Sequence, residues 1–293
     1  MPEIVSYASR LKQDFQMIEA KMMELLDVST IKEFRNDPDS GVFILSPTYY
    51  WGETDEQQQL LQMQLIKDYS TWIQHFRLLF SMASQEINHQ IEEVHKFITS
   101  WIEKESSWEV PSNVQEARTV FKEKVKVVYE LLNLLGTTDK HEVILVPDTN
   151  SLIAVPDLAQ YTNVAGQSRY TVVIVPTVLA ELDKLKVTHR EQEFRDKVNS
   201  VIKRIKGLRT QGSLLKGVTV NKTVTVKMIA TEPDFDNTLE WLHSENTDDQ
   251  IIASVLEIQK QNPSNIVIIT TSDINLQNKA EMANLPFAET PVA

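Results

Sequence analysis

Cysteine is absent from the 293 residues. No disulfide can form, no thiol can serve as nucleophile, and no zinc site can draw on cysteine ligands; this composition fits a cytoplasmic protein. Glycine is scarce at 7 residues, and no G-x-x-x-x-G-K-[ST] run occurs, which argues against a glycine-rich phosphate loop. Nowhere do about eighteen apolar residues follow one another, so no membrane span is expected. The opening "MPEIVSYASRLKQDF" lacks the basic-then-apolar order of a signal peptide. A surplus of positive charge is missing too: the net charge is -12, which taken alone speaks against a nucleic-acid partner.

The distribution of charge qualifies that last point. Residues 184–227 hold twelve lysines and arginines against three acids, a local +9, which leaves -21 for the rest of the chain. A ligand meets the local field, so this block marks a surface suited to polyanions.

The length suggests two domains, at roughly 150 residues each. Residues 1–138 read as helical. Leu11, Phe15, Ile18, Met22 and Leu25 share one helical face in a run from Glu3 to Phe34, which ends at the turn cluster "NDPDSG". After an aromatic connector, Thr54 or Asp55 is placed to cap one long helix. Its stripe runs from Leu61 through Trp72, Phe80 and Ile91 to Trp101 in steps of three and four, as in an antiparallel bundle or a coiled coil. "SSWEVPSN" breaks the pattern. A last helix is expected from Val114 to Leu135, with Gly136 as its C-cap. His75, His89 and His95 have no metal-binding spacing and read as surface or bundle residues.

From residue 141 to 293 the grammar changes. "EVILV", "TVVIV" and "NIVIIT" are short, aliphatic and β-branched, and they alternate with helical segments near 177–186, 192–209 and 247–260. That alternation predicts an α/β domain with a mostly parallel sheet flanked by helices, preceded by the all-α half. "LLKGVTVNKTVTVKMIA" holds one strand or a hairpin around Asn221.

In an open parallel sheet, ligands bind beyond the carboxyl ends of the strands. Asp148 follows the first strand and Asp273 the third. Glu181 lies one turn into the helix after the second strand, and Asp248 opens the helix "TDDQIIASVLEIQ". Each has a modest alternative as a turn former, helix cap or surface ion-pair partner. Together, acids gathered on one rim repel unless a cation joins them, and oxygen-only ligands select Mg²⁺ or Mn²⁺.

The four segments "VPDTNSLI", "VPTVLAELDKLK", "TDDQIIASVL" and "ITTSDINLQNKA", in this order and context, resemble a PIN domain, the nuclease fold of VapC-type toxins and of RNA-decay and RNA-processing factors. The resemblance covers the C-terminal half. It implies that Asp148, Glu181, Asp248 and Asp273 bind metal, with Asp249 assisting. It also implies that Asn150 lies near the site and that Thr271 is the hydroxyl residue of the T-x-D element.

The implied activity is metal-assisted hydrolysis of a phosphodiester, leaving a 5′-phosphate and a 3′-hydroxyl. Lys184, Lys186, Arg190, Arg195, Lys203, Arg204, Lys206 and Arg209 are expected to meet the phosphate backbone, whose contacts set affinity without reading sequence. Single-stranded RNA is the preferred substrate and DNA remains open. Two rivals stand beside this reading. One is a toxin-like effector held inactive by a partner or by its own N-terminal half. The other is a scaffold that has lost metal binding. The N-terminal helices also offer a surface for homo-oligomerisation.

Overall fold

The computed structural model describes residues 5–34, 48–105, 109–136 and 141–292. The chain divides into two compact units: the first spans Ala8–Gly136, and the second holds the remaining described residues. The turn cluster at 36–41, the start of the connector that follows it and the first residues of "SSWEVPSN" lie outside the described residues.

In the first unit, α1 (Tyr7–Asp27) buries the expected face, with Leu11, Phe15 and Met22 almost fully enclosed. The helix stops at Asp27 rather than Phe34. Val28, Thr30 and Ile31 are β-branched and disfavour its continuation. Ile31–Glu33 instead forms β1, paired antiparallel with β2 (Tyr49–Trp51), Ile31 opposite Trp51.

The single long helix expected next is two helices, α2 (Glu56–Leu79) and α3 (Gln85–Glu103), packed against each other across residues 80–84. Asp55 caps α2 by accepting from the Gln58 amide at 2.8 Å. Ser84 caps α3, and Lys104 ends it with a left-handed φ of 55°. The stripe thus folds back on itself, and its aromatic residues meet across a core. Trp72 lies 4.6 Å from Phe15 and 4.7 Å from Phe76 between ring centres, and its indole N–H donates to Leu11 O at 2.9 Å.

The last expected helix is also divided, into α4 (Val114–Lys124) and α5 (Lys126–Leu135), at Val125. Asn113 caps α4 while Glu116 reaches back to the Ser112 amide, a reciprocal pair that satisfies two helix-end donors. Gly136 is the C-cap of α5, with φ -98°, so its conformation does not require glycine. His75 follows the bundle alternative. It is 5% exposed, and burial, with Arg10 nearby, lowers its pKa to about 4.

The second unit is a six-stranded sheet. Its strands are β3 (Val143–Pro147), β4 (Tyr170–Ile174), β5 (Val218–Val220), β6 (Val224–Met228), β7 (Ile266–Thr270) and β8 (Phe287–Ala288), in the order β5-β6-β4-β3-β7-β8. Every pairing is parallel except the β5–β6 hairpin. That hairpin turns through Asn221 and Lys222, both with positive φ. β3 and β4 are buried at every position, as strands covered on both faces must be. The helices are α6 (Thr149–Ala154), α7 (Thr162–Ala165), α8 (Pro176–Thr188), α9 (Gln192–Arg209), α10 (Thr247–Gln261) and α11 (Ile274–Met282).

The chain leaves β3 toward β4 and β6 on one side, then returns to β7 on the other. Strand order therefore reverses at β3, and the crevice beyond the carboxyl ends of β3 and β7 is the topological switch point.

Candidate metal and nucleic-acid site

Pro147 is in register with Thr270, and the Asp148 amide continues the ladder to Thr270 O at 3.0 Å. The first residues beyond each strand are therefore neighbours. Asp148 is 4% exposed. Its Oδ1 accepts from the Ser151 amide at 2.6 Å, which makes it the N-cap of α6, and its Oδ2 accepts from the Thr271 hydroxyl at 2.5 Å. The helix-cap alternative is thus real for Asp148, and it coexists with a place at the switch point.

Thr271 Oγ1 also accepts from the Asp273 amide at 3.0 Å. Asp273 caps α11 through the amides of Asn275 at 2.7 Å and Leu276 at 3.4 Å, and it is exposed. Glu181, on α8, accepts a hydrogen bond from the hydroxyl of Thr149. Thr149 is buried whereas Asn150 is exposed, so the hydroxyl rather than the neighbouring amide touches an acid.

The pair at the start of α10 divides sharply. Asn246 is the N-cap. Asp248 is partly exposed. Asp249 is buried, accepts from the His243 amide at 3.0 Å and faces Lys279 Nζ at 2.7 Å. Lys279 thus faces Asp249, the acid expected to assist, and lies 3.5 Å from Asp248 Oδ2 as well.

Hydroxyls form a further support. Ser151 Oγ donates to Thr270 O at 2.9 Å and lies 2.6 Å from Thr290 Oγ1, which Ser272 also reaches. Tyr161 donates to Ser151 O at 2.9 Å. Its pKa is raised by burial first, then by the Asp148 carboxylate and by Tyr170.

Among the described residues, no three Asp, Glu or His side chains are grouped closely enough to hold an ion. The donor chemistry nonetheless suits a hard divalent cation, since every candidate is a carboxylate.

The basic residues fall on α8, α9 and the turn between them. Lys184, Arg190, Lys203, Arg204, Lys206 and Arg209 are exposed or partly exposed. Lys186 pairs with Asp183 on its own helix. Arg195 departs from expectation: its guanidinium is tied to the carbonyls of His189 and Arg190 and to the Gln192 side chain, so it braces the α8–α9 turn. Val198, Val201 and Ile205 are the buried residues of α9.

A parallel sheet with carboxylates just beyond its strand ends at the switch point places acids where open α/β sheets bind their ligands. Residues 145–290 match the PIN domain family, and the C-terminal half of this chain is a PIN domain. PIN domains are generally nucleases and typically use divalent metals. No curated protein matches the chain. Among the described residues, no helix is long and apolar enough to cross a membrane.

The sequence shows Thr149 as a turn residue but not its hydrogen bond to Glu181, and it gives no sign of Lys279. Lys279 lies three residues after the buried Leu276 on α11, a spacing that turns a lone cation toward the side that packs.

Proposed function

We propose that the chain is a Mg²⁺- or Mn²⁺-dependent endoribonuclease that cleaves single-stranded RNA by preference. The observation that carries this reading is the Thr271 bridge, which ties Asp148 to the turn of Asp273 at the switch point of a PIN domain.

Asp148, Glu181, Asp248 and Asp273 would hold the ion. When bound, such an ion supplies Lewis acidity at the phosphoryl group and lowers the pKa of a water. The chain's own part is orientation. The Ser151 amide and the Thr271 hydroxyl fix both oxygens of Asp148, and Thr149 fixes Glu181. The exposed cations of α9 would hold the phosphate backbone, a role that sets affinity and register without reading bases. Water attack in line leaves a 5′-phosphate and a 3′-hydroxyl. The absence of cysteine supports a cytoplasmic setting.

The test is cleavage of end-labelled single-stranded RNA by the purified full chain with Mn²⁺, Mg²⁺ or EDTA, alongside Asp148→Asn and Asp273→Asn. Metal-dependent cleavage lost in both variants is expected. Binding of RNA or DNA without cleavage, unchanged in the variants, would instead establish the scaffold reading.

A further inference from the structure

Lys279 stands apart from the basic block. Its ammonium lies 2.7 Å from Asp249 Oδ1 and 3.5 Å from Asp248 Oδ2, and it donates to Asn246 Oδ1 at 2.9 Å. All three acceptors belong to the N-cap and first turn of α10, while Lys279 itself projects from α11. The contact with Asp249 is ionic rather than directed, since Asp249 Oδ1 makes no hydrogen bond. The Lys279 side chain is 23% exposed and that of Asp249 5%, so water screens the pair poorly.

We propose that Lys279 is a positioning residue that serves as a resident counter-cation for Asp248 and Asp249, so that a divalent ion binding at either acid competes with its ammonium. The proposal rests on the metal-dependent reading above and adds what sets the ion's affinity. Two adjacent carboxylates on one helical turn repel each other, and Lys279 relieves that repulsion while pinning the start of α10 to α11. A divalent ion meets the same lone pairs and is repelled by the ammonium beside them. Lys279 therefore sets the ion concentration at which the α10 side of the rim fills, and it keeps that side ordered below that concentration.

The measurement is Mn²⁺ affinity of the full chain by calorimetry, together with the Mn²⁺-induced shift in melting temperature. Lys279→Met should tighten Mn²⁺ binding by about tenfold, since one unit charge close to the ligands is removed. Lys279→Arg, which keeps the charge, should stay within about twofold of the wild type. In an Asp248→Asn/Asp249→Asn background, Lys279→Met should no longer tighten binding. Should Lys279→Met fold poorly, Lys279→Gln removes the charge but retains a donor for Asn246, and carries the same expectation. A folded Lys279→Met or Lys279→Gln chain with unchanged or weaker Mn²⁺ affinity overturns the proposal. Failure of the metal-dependent reading looks different: no heat and no melting shift with Mn²⁺ in any form, the wild type included.

Discussion

Thr271 donates its hydroxyl proton to Asp148 Oδ2 across 2.5 Å, although the two lie 123 positions apart in the chain. Both are buried, so the bond runs to a charged acceptor with little competition from water. Thr271→Val keeps the shape and removes the hydroxyl. It should cost about 1.5–3 kcal/mol in urea unfolding. It should also slow single-turnover RNA cleavage by about 10–100-fold. Thr271→Ser should recover most of both; equal deficits in Ser and Val would show that the methyl group, not the bond, matters.

Asp148 has two duties that substitutions can separate. Asparagine caps a helix about as well as aspartate, so Asp148→Asn should keep the cap of α6 and lose only the charge assistance of the Thr271 bond, less than the about 1.5–3 kcal/mol expected for Thr271→Val. Its cleavage rate should nevertheless fall further than the roughly 10–100-fold typical of a supporting residue. Asp148→Ala should lose the cap as well, at a cost of about 1 kcal/mol more. Comparable activity in wild type and Asp148→Asn would remove this carboxylate from the reaction.

The cations of α9 should reveal themselves through salt. Replacing Lys203, Arg204, Lys206 and Arg209 together with glutamine should flatten the slope of log affinity for single-stranded RNA against log salt by up to about 3, because each phosphate that is no longer neutralised takes away roughly 0.7. Arg195→Gln is the contrast. Its guanidinium braces the turn before α9, so removing it should lower the melting temperature and leave the slope alone. A slope untouched by the fourfold change would place the RNA elsewhere.

His75 makes the helical unit acid-sensitive. Burial lowers its pKa to about 4 from an ordinary 6.5. The unfolded chain thus takes up a proton between these values that the folded chain refuses. The contribution to stability is intact above about pH 6.5 and is lost progressively as the pH falls, reaching about 3 kcal/mol near pH 4. Denaturation curves from pH 7 to 4 check this, with His75→Gln expected to reduce the dependence. A wild-type curve flat over that range contradicts it.

The sequence made β3, β4 and β7 legible because each is a short aliphatic run that is almost wholly buried, and Asp148 and Asp273 were legible because each lies just beyond such a run, whereas the two partly exposed residues of β8 gave no such signal. The hairpin of α2 and α3 was hidden for an equally physical reason. Phe80, Ala83 and Ile87 keep the helical step across residues 80–84, and that turn contains neither glycine nor proline. β1 and β2 were missed because three-residue strands carry too little periodicity to register. The Thr271 hydroxyl was found through resemblance. The pairing of Lys279 with Asp249 was not, since nothing in a one-dimensional pattern says which of many lysines will cross from one helix to the next.

The alignment of Pro147 with Thr270 has a practical corollary. Asp148 and Thr271 are set side by side by a ladder of backbone hydrogen bonds between β3 and β7, and by nothing in the length of chain that connects those strands. Circular permutation or insertion in an exposed part of the connection, such as the Ser244–Glu245 turn ahead of α10, can therefore change the order or length of the polypeptide while leaving the spacing of the two side chains untouched.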